Sequence, residues 1–218
     1  MATSFTRLLA DSRRALVTML GLQAVIWSVQ VVNWLDDYGL SREYGLRSQR
    51  VDDLPEMFTM PFLHGSWEHI SNNSWPLFVL GFLAAYRGMR RFLLASLVIM
   101  VSGGLLVWLL ERPEAVTVGA SGMVYGYLGY VVLRGVLDRR VLDAAVGIAV
   151  AALYSSLLIG VLPVTQGVSW LGHLGGLVGG LAAAVLLRNP PQPEPVPTAP
   201  GATGSHAALL QQLDDLGL

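Results

Sequence analysis

The sequence predicts an all-α membrane protein, six transmembrane helices with a membrane-embedded first loop. Three observations carry that prediction. More than half of the 218 residues are hydrophobic and only 13% are charged, about half the ~25% usual in soluble domains. Apolar stretches recur along the chain, most of them close to the ~20 residues that cross a hydrocarbon core. The charges fall between those stretches, and the arginines gather in alternate connections.

Residues 1–14 form a polar leader carrying Arg7, Arg13 and Arg14, and the first span runs from Ala15 to Leu35. No small-residue cleavage motif follows that run, so it is expected to remain as a helix rather than leave as a signal peptide. Asp36 to Glu68 is the longest polar connection, yet it contains Phe58-Thr59-Met60-Pro61-Phe62-Leu63-His64, too apolar for a freely solvated loop. It is expected to lie partly embedded at the membrane surface, with short helices of its own. The second span covers about His69 to Tyr86 and the third about Phe92 to Leu110. The fourth, from about Gly119 to Leu133, is the shortest. The fifth covers about Val141 to Leu162 and the sixth about Ser169 to Leu187. The membrane domain is therefore 15–188. Residues 189–218 begin with a proline-rich linker that cannot be helical, and they read as a disordered cytoplasmic tail.

Arginine placement sets the orientation. Arg7, Arg13, Arg14, Arg87, Arg90, Arg91, Arg134, Arg139, Arg140 and Arg188 share one side. Arg42, Arg47, Arg50 and Arg112 on the other side are diluted by nine acids. Both termini should be cytoplasmic. The absence of lysine excludes a serine–lysine catalytic pair, and the absence of cysteine excludes disulfides, thiolate nucleophiles and cysteine metal sites.

The chemistry centres on Thr117-Val118-Gly119-Ala120-Ser121-Gly122-Met123-Val124-Tyr125-Gly126, where an irregular segment gives way to an apolar helix. Gly119 and Gly122 permit close backbone approach, and the first N–H groups of a helix have no internal partner. A hydroxyl there sits beside donors suited to an oxyanion. Small residues at this place also serve plain helix packing, and GxSG alone does not separate the two readings. Polar groups inside a bilayer are functional candidates by default. His173, early in the sixth span, is one; His69 and Asn73, one turn apart on the second, are two more. Gly172, Gly176 and Gly180 form one small-residue stripe and Gly175 and Gly179 another, while Gly122, Gly126 and Gly129 line the fourth span. If the fourth and sixth spans pack through these stripes, His173 comes near Ser121 at matching depth. Tyr125, one turn beyond Ser121, is placed to support the imidazole.

Assembled, these residues resemble the rhomboid family of intramembrane serine proteases, over roughly Phe58 to Leu187. The resemblance rests on Gly119-Ala120-Ser121-Gly122 with Tyr125, on His69-Ile70-Ser71-Asn72-Asn73, and on His173 followed by Gly176 and Gly180. It implies a rhomboid-like bundle with Ser121 as nucleophile, His173 as general base and no aspartate. It also implies an oxyanion hole of the Ser121 N–H with His69 and Asn73, and an imidazole stacked on Tyr125. No metal or organic cofactor follows from it. The implied partners are transmembrane protein substrates and membrane lipids, with no nucleic acid, and the implied place is a bacterial plasma membrane with the site open to the extracytoplasmic side. One departure stands out: Pro55 and Glu56 occupy positions where many bacterial rhomboids carry Trp-Arg.

Other intramembrane protease classes fail on residues. His64-Gly-Ser-Trp-Glu68-His69 has the wrong spacing for a zinc protease helix, Asp143 at the edge of the fifth span is the single acid within the expected spans and leaves no pair to serve an aspartyl protease, and Met123 replaces the last glycine of GxSxG. Two alternatives remain. One is a rhomboid-like protein that binds transmembrane clients without cutting them, although such relatives typically lack the serine or histidine present here. The other is a small-solute channel or transporter, which calls for internal repeats that the sequence does not display.

Overall fold

The computed structural model describes residues 2–113, 115–138, 141–164, 167–188 and 211–216. Arg139 and Arg140, two of the arginines that set the expected orientation, and the proline-rich stretch 189–200 lie outside the described residues. The chain divides into two units, Met1–Arg188 and Asn189–Leu218. Within the described part of the second, 211–215 form one helical turn.

The first unit contains α1 (Ala2–Leu35), α2 (Gly39–Tyr44), α3 (Trp67–Tyr86), α4 (Met89–Leu110), α5 (Ser121–Leu137), α6 (Val141–Leu153) and α7 (Trp170–Leu186). The expected polar leader is not separate from the first span, because α1 is one helix of 34 residues. Nothing before Gly21 is a proline or glycine that would interrupt it. Ser66 caps α3, its hydroxyl accepting from the His69 N–H at 3.0 Å, so this helix starts before the expected His69. Glu68 in its first turn suits the helix dipole.

Two expected boundaries are corrected. The fourth apolar segment is not the shortest: α5 runs 17 residues, past Leu133 to Leu137. The cause is Arg134, which is buried inside the bundle and paired with Asp138 one turn on at 2.7 Å, so the turn stays helical. The fifth segment is not continuous. Its α6 part has 13 residues, and a 3-10 segment, Ser155–Val161, follows at a bend of 62°. At the break the Ser155 hydroxyl donates to the Ala152 carbonyl at 2.9 Å, competing with the helix ladder.

By length and hydropathy, Thr6–Leu35 and Met89–Leu110 can each cross a membrane, and the bent pair adds a third if taken as one span. The other helices miss that measure for physical reasons. Polar residues fill the first turns of α3, and α5 and α7 have 17 residues each, only ~26 Å of helix.

The core forms around α5, which is buried continuously from Met123 to Val131. α7 runs parallel to it, with the Gly176 Cα against the Gly122 carbonyl and the Gly180 Cα against the Gly126 carbonyl, where any side chain would overlap backbone. The second glycine stripe faces α4. A Cβ on Gly175 would meet Gly103, and one on Gly179 would meet Ile99 and Ser102. On the other flank α1 lies along α3, where Gln23 and Trp27 donate to the Ser74 carbonyl and hydroxyl at 2.6 and 3.0 Å. At the far end of α5 an ion network closes the bundle. Asp138 binds Arg87 at 2.6 Å as well as Arg134, and Asp143 of α6 binds Arg87 at 3.3 Å.

The first loop carries the short helices expected of it, α2 and the 3-10 segments Val51–Met57 and Met60–Phe62. Its two-residue strand β1 (Leu46–Arg47) pairs antiparallel with β2 (Val116–Thr117) just before α5. Asn33 at the end of α1 donates to the Ser41 hydroxyl at 2.8 Å and to the His64 carbonyl at 3.0 Å. The loop is thereby tied to α1 on one side and to the approach to Ser121 on the other.

Candidate active site

Ser121 is the first residue of α5. One backbone dihedral and two hydrogen bonds shape the turn before it. Gly119 has φ of +122°, a conformation costly for any residue with a Cβ. Its N–H donates to the Met60 carbonyl at 2.9 Å. The next N–H, of Ala120, donates to His64 Nε2 at 3.3 Å. His64 is fully buried. Burial, reinforced by nearby His69, drives its pKa from 6.5 down to about 3, so it stays neutral and keeps the lone pair that accepts from Ala120.

His173 Nε2 lies 2.8 Å from Ser121 Oγ. The glycine contacts between α5 and α7 make this possible, since larger residues would hold the helices apart. The imidazole stacks on Tyr125 with ring centroids 4.2 Å apart and planes 14° from parallel. On its far side Nδ1 lies 2.8 Å from the Gly160 carbonyl oxygen. A carbonyl can only accept, so Nδ1 carries the hydrogen and the neutral ring turns its Nε2 lone pair to the serine. The pair can therefore move a proton from Ser121 to His173 without rearrangement.

His69 and Asn73 converge on the same turn. A Cβ on Gly119 would lie 2.6 Å from His69 Nε2 and 3.8 Å from Asn73 Nδ2. Asn73 is buried, and its amide nitrogen has no partner among the described residues. Beside them a cavity of about 950 Å³ is lined by His69 with Glu111, Arg112, Thr117, Ser169 and Trp170, while Ser121, His173 and Asn73 are not part of its lining. Among the described residues, no group of three or more His, Cys, Asp or Glu is arranged to hold a metal.

The residues picked from sequence thus gather at one end of the bundle: Ser121, His173, Tyr125, His69 and Asn73. Of the packing glycines, Gly126, Gly176 and Gly180 sit at backbone contacts, with Gly126 also against Ile99. Gly172 differs, because a Cβ there would find only ordinary contacts, 3.4 Å to Ser169 Oγ and 3.5 Å to Val107. Its carbonyl, rather than its missing side chain, meets Gly122. Sequence reasoning missed three participants. His64 could have been found from its five-residue spacing to His69. Glu111, which accepts from the Ser169 hydroxyl at 2.9 Å and steadies the start of α7, and Gly160, one glycine in an apolar run, carried no signal.

A family model described as Rhomboid domain matches residues 52–190. An uncharacterized protein of Mycobacterium tuberculosis is 34% identical over 200 residues, covering 88% of this chain and 83% of the relative. One from Mycobacterium leprae is 35% identical over 182 residues, covering 80% and 72%. Rhomboid-like protease 5 of Toxoplasma gondii is 37% identical over 142 residues, covering 62% of this chain and 17% of that protein. With a family match over well more than half its length, this chain belongs to the rhomboid family.

Proposed function

We propose that the chain is a six-span intramembrane serine endopeptidase that cuts peptide bonds in or beside the transmembrane helices of other proteins. One observation carries this reading: Ser121 Oγ lies 2.8 Å from His173 Nε2 while the opposite ring nitrogen is held on a backbone carbonyl. In the reaction Ser121 Oγ attacks the substrate carbonyl carbon as its proton passes to His173 Nε2. The oxyanion is met by the Ser121 N–H, His69 and the Asn73 amide. Loss of one such donor costs on the order of 10²–10³ in turnover in a soluble serine protease. His173 returns the proton to the departing amine, and water then releases the acyl group by the same route.

The six spans are α1, α3, α4, α5, α6 with its bent continuation, and α7. Both termini and the 189–218 tail are cytoplasmic, in a bacterial plasma membrane. The exposed apolar faces of α1, α4 and α7, with Val17, Leu20, Leu93, Leu97, Val178 and Val185, support a lipid-facing surface. The cavity opens to the extracytoplasmic side and admits the water that hydrolysis needs. Peptide groups in a stable helix are already bonded and shielded, so substrates should unwind easily near the cut through Gly, Pro or small residues.

The test is cleavage of a glycine-containing transmembrane peptide panel in liposomes, with products identified by mass spectrometry. Wild-type protein should cut at a defined bond and Ser121→Ala should not. Peptide binding without cleavage by folded wild type would overturn the reading in favour of a client-binding rhomboid relative.

A further inference from the structure

We infer that the Gly160 carbonyl is the positioning group for His173, occupying the place that an aspartate fills in serine protease triads. This rests on the proposed serine–histidine mechanism and adds an element to it. In a triad, the buried acid holds the imidazole in the tautomer that presents Nε2 to the serine. Here the atom bound to Nδ1 is not a carboxylate but the Gly160 oxygen, at 2.8 Å. Ring stacking on Tyr125 fixes the ring plane but is the same for either tautomer or a flipped ring. The hydrogen bond to a pure acceptor makes the choice.

The surrounding structure is arranged to bring that carbonyl in. The bend of 62° after α6 turns Ser155–Val161 toward α7. Only glycine fits at the contact. A Cβ on Gly160 would overlap Tyr125 Oη and lie 3.0 Å from Tyr125 Cζ and 3.1 Å from His173 Nδ1. The neighbours Leu158 and Ile159 turn outward and are exposed, so the segment meets the site through its backbone. During acylation the proton from Ser121 goes to Nε2, the Nδ1 hydrogen stays in place, and the carbonyl faces a cationic donor. The hydrogen bond strengthens as the charge forms.

The experiment replaces Val161 by its α-hydroxy acid, which turns the Gly160 carbonyl into an ester carbonyl, a weaker acceptor of nearly the same shape. A matching ester at Leu157 is the control. It removes the Leu157 N–H bond to Tyr154, 3.0 Å long, from the same segment without altering Gly160. Two readouts are taken in detergent. One is the rate of labelling by a fluorophosphonate; the other is the 15N spectrum of ring-labelled histidine, with His173 assigned by its loss in His173→Ala. The Val161 ester should lower the rate about tenfold, the scale of one ordinary hydrogen bond, and shift His173 toward the Nε2–H tautomer. The Leu157 ester should do neither. Gly160→Ala should reproduce the Val161 effect more severely. Unchanged rate and tautomer in the Val161 ester, or equal effects from both esters, would overturn the inference. Labelling of Ser121→Ala at the wild-type rate would instead overturn the underlying serine mechanism.

Discussion

Placing a methyl group on Gly176 should disable the site without touching either reacting residue. In the native packing its Cβ would overlap the Gly122 carbonyl oxygen and lie 2.8 Å from Gly122 C and 3.0 Å from Gly122 Cα. Unstrained carbon atoms keep ~3.5–4.0 Å apart, and the overlap with the Gly122 oxygen is closer still, so α5 and α7 must separate locally by roughly 1 Å. The obstructing atoms are backbone and cannot rotate away. Gly122 follows Ser121 and Gly176 lies one turn beyond His173, so the separation falls on the reacting pair. Their 2.8 Å contact opens to about 3.5 Å, the edge of hydrogen-bond range. Misplacement on this scale costs up to ~10²-fold in rate, and overpacking costs ~1–3 kcal/mol of stability. Gly172→Ala is the internal comparison, since it sits one turn away on the same helix and its Cβ finds ordinary space. Fluorophosphonate labelling and thermal unfolding in detergent would measure both. Gly176→Ala should label roughly 10–100-fold more slowly, and Gly172→Ala within a few-fold of wild type. Equal rates for the two variants would refute the packing argument.

Two further perturbations test the supports. His64 stays neutral in the folded protein down to about pH 3 but takes a proton below 6.5 when exposed. Between those values the unfolded state binds the extra proton, so this residue's contribution makes stability fall as pH falls, by about 2 kcal/mol at pH 5. Thermal midpoints in detergent should therefore drop from pH 7.5 to pH 5, and His64→Asn should flatten that slope; an unchanged slope would remove His64 as its source. Asp138→Asn takes the shared carboxylate from Arg87 and from Arg134, whose side chain is 2% exposed. A buried guanidinium losing its partner should cost ~3 kcal/mol, read as a lower unfolding midpoint, whereas an unshifted midpoint would count against the network.

What was legible in the sequence follows from what each signal depends on. Glycine stripes are periodic, so the parallel packing of α5 on α7 could be anticipated from Gly122, Gly126, Gly176 and Gly180. That packing in turn brought Ser121 and His173 together. Helix ends were less legible. Arg134 looked like a loop residue because its charge suggests solvent, and only the Asp138 partner explains its burial. The break after Leu153 depends on one serine hydroxyl finding a carbonyl, and apolar composition does not encode that. Gly160 acts through its backbone oxygen, which every residue possesses, so its role became visible only when its neighbours were placed. The continuity of α1 through the arginine-bearing leader is hidden for the opposite reason: charge suggests a boundary where no residue breaks the helix.

In the proposed mechanism Ser121 is a nucleophile activated by His173. The most direct measurement is peptide-level mass spectrometry of the purified protein after fluorophosphonate treatment, beside His173→Ala. The expected result is a single adduct on Ser121 in the wild type and none in the variant. An adduct on another residue, or Ser121 labelled at the wild-type rate without His173, would contradict this mechanism.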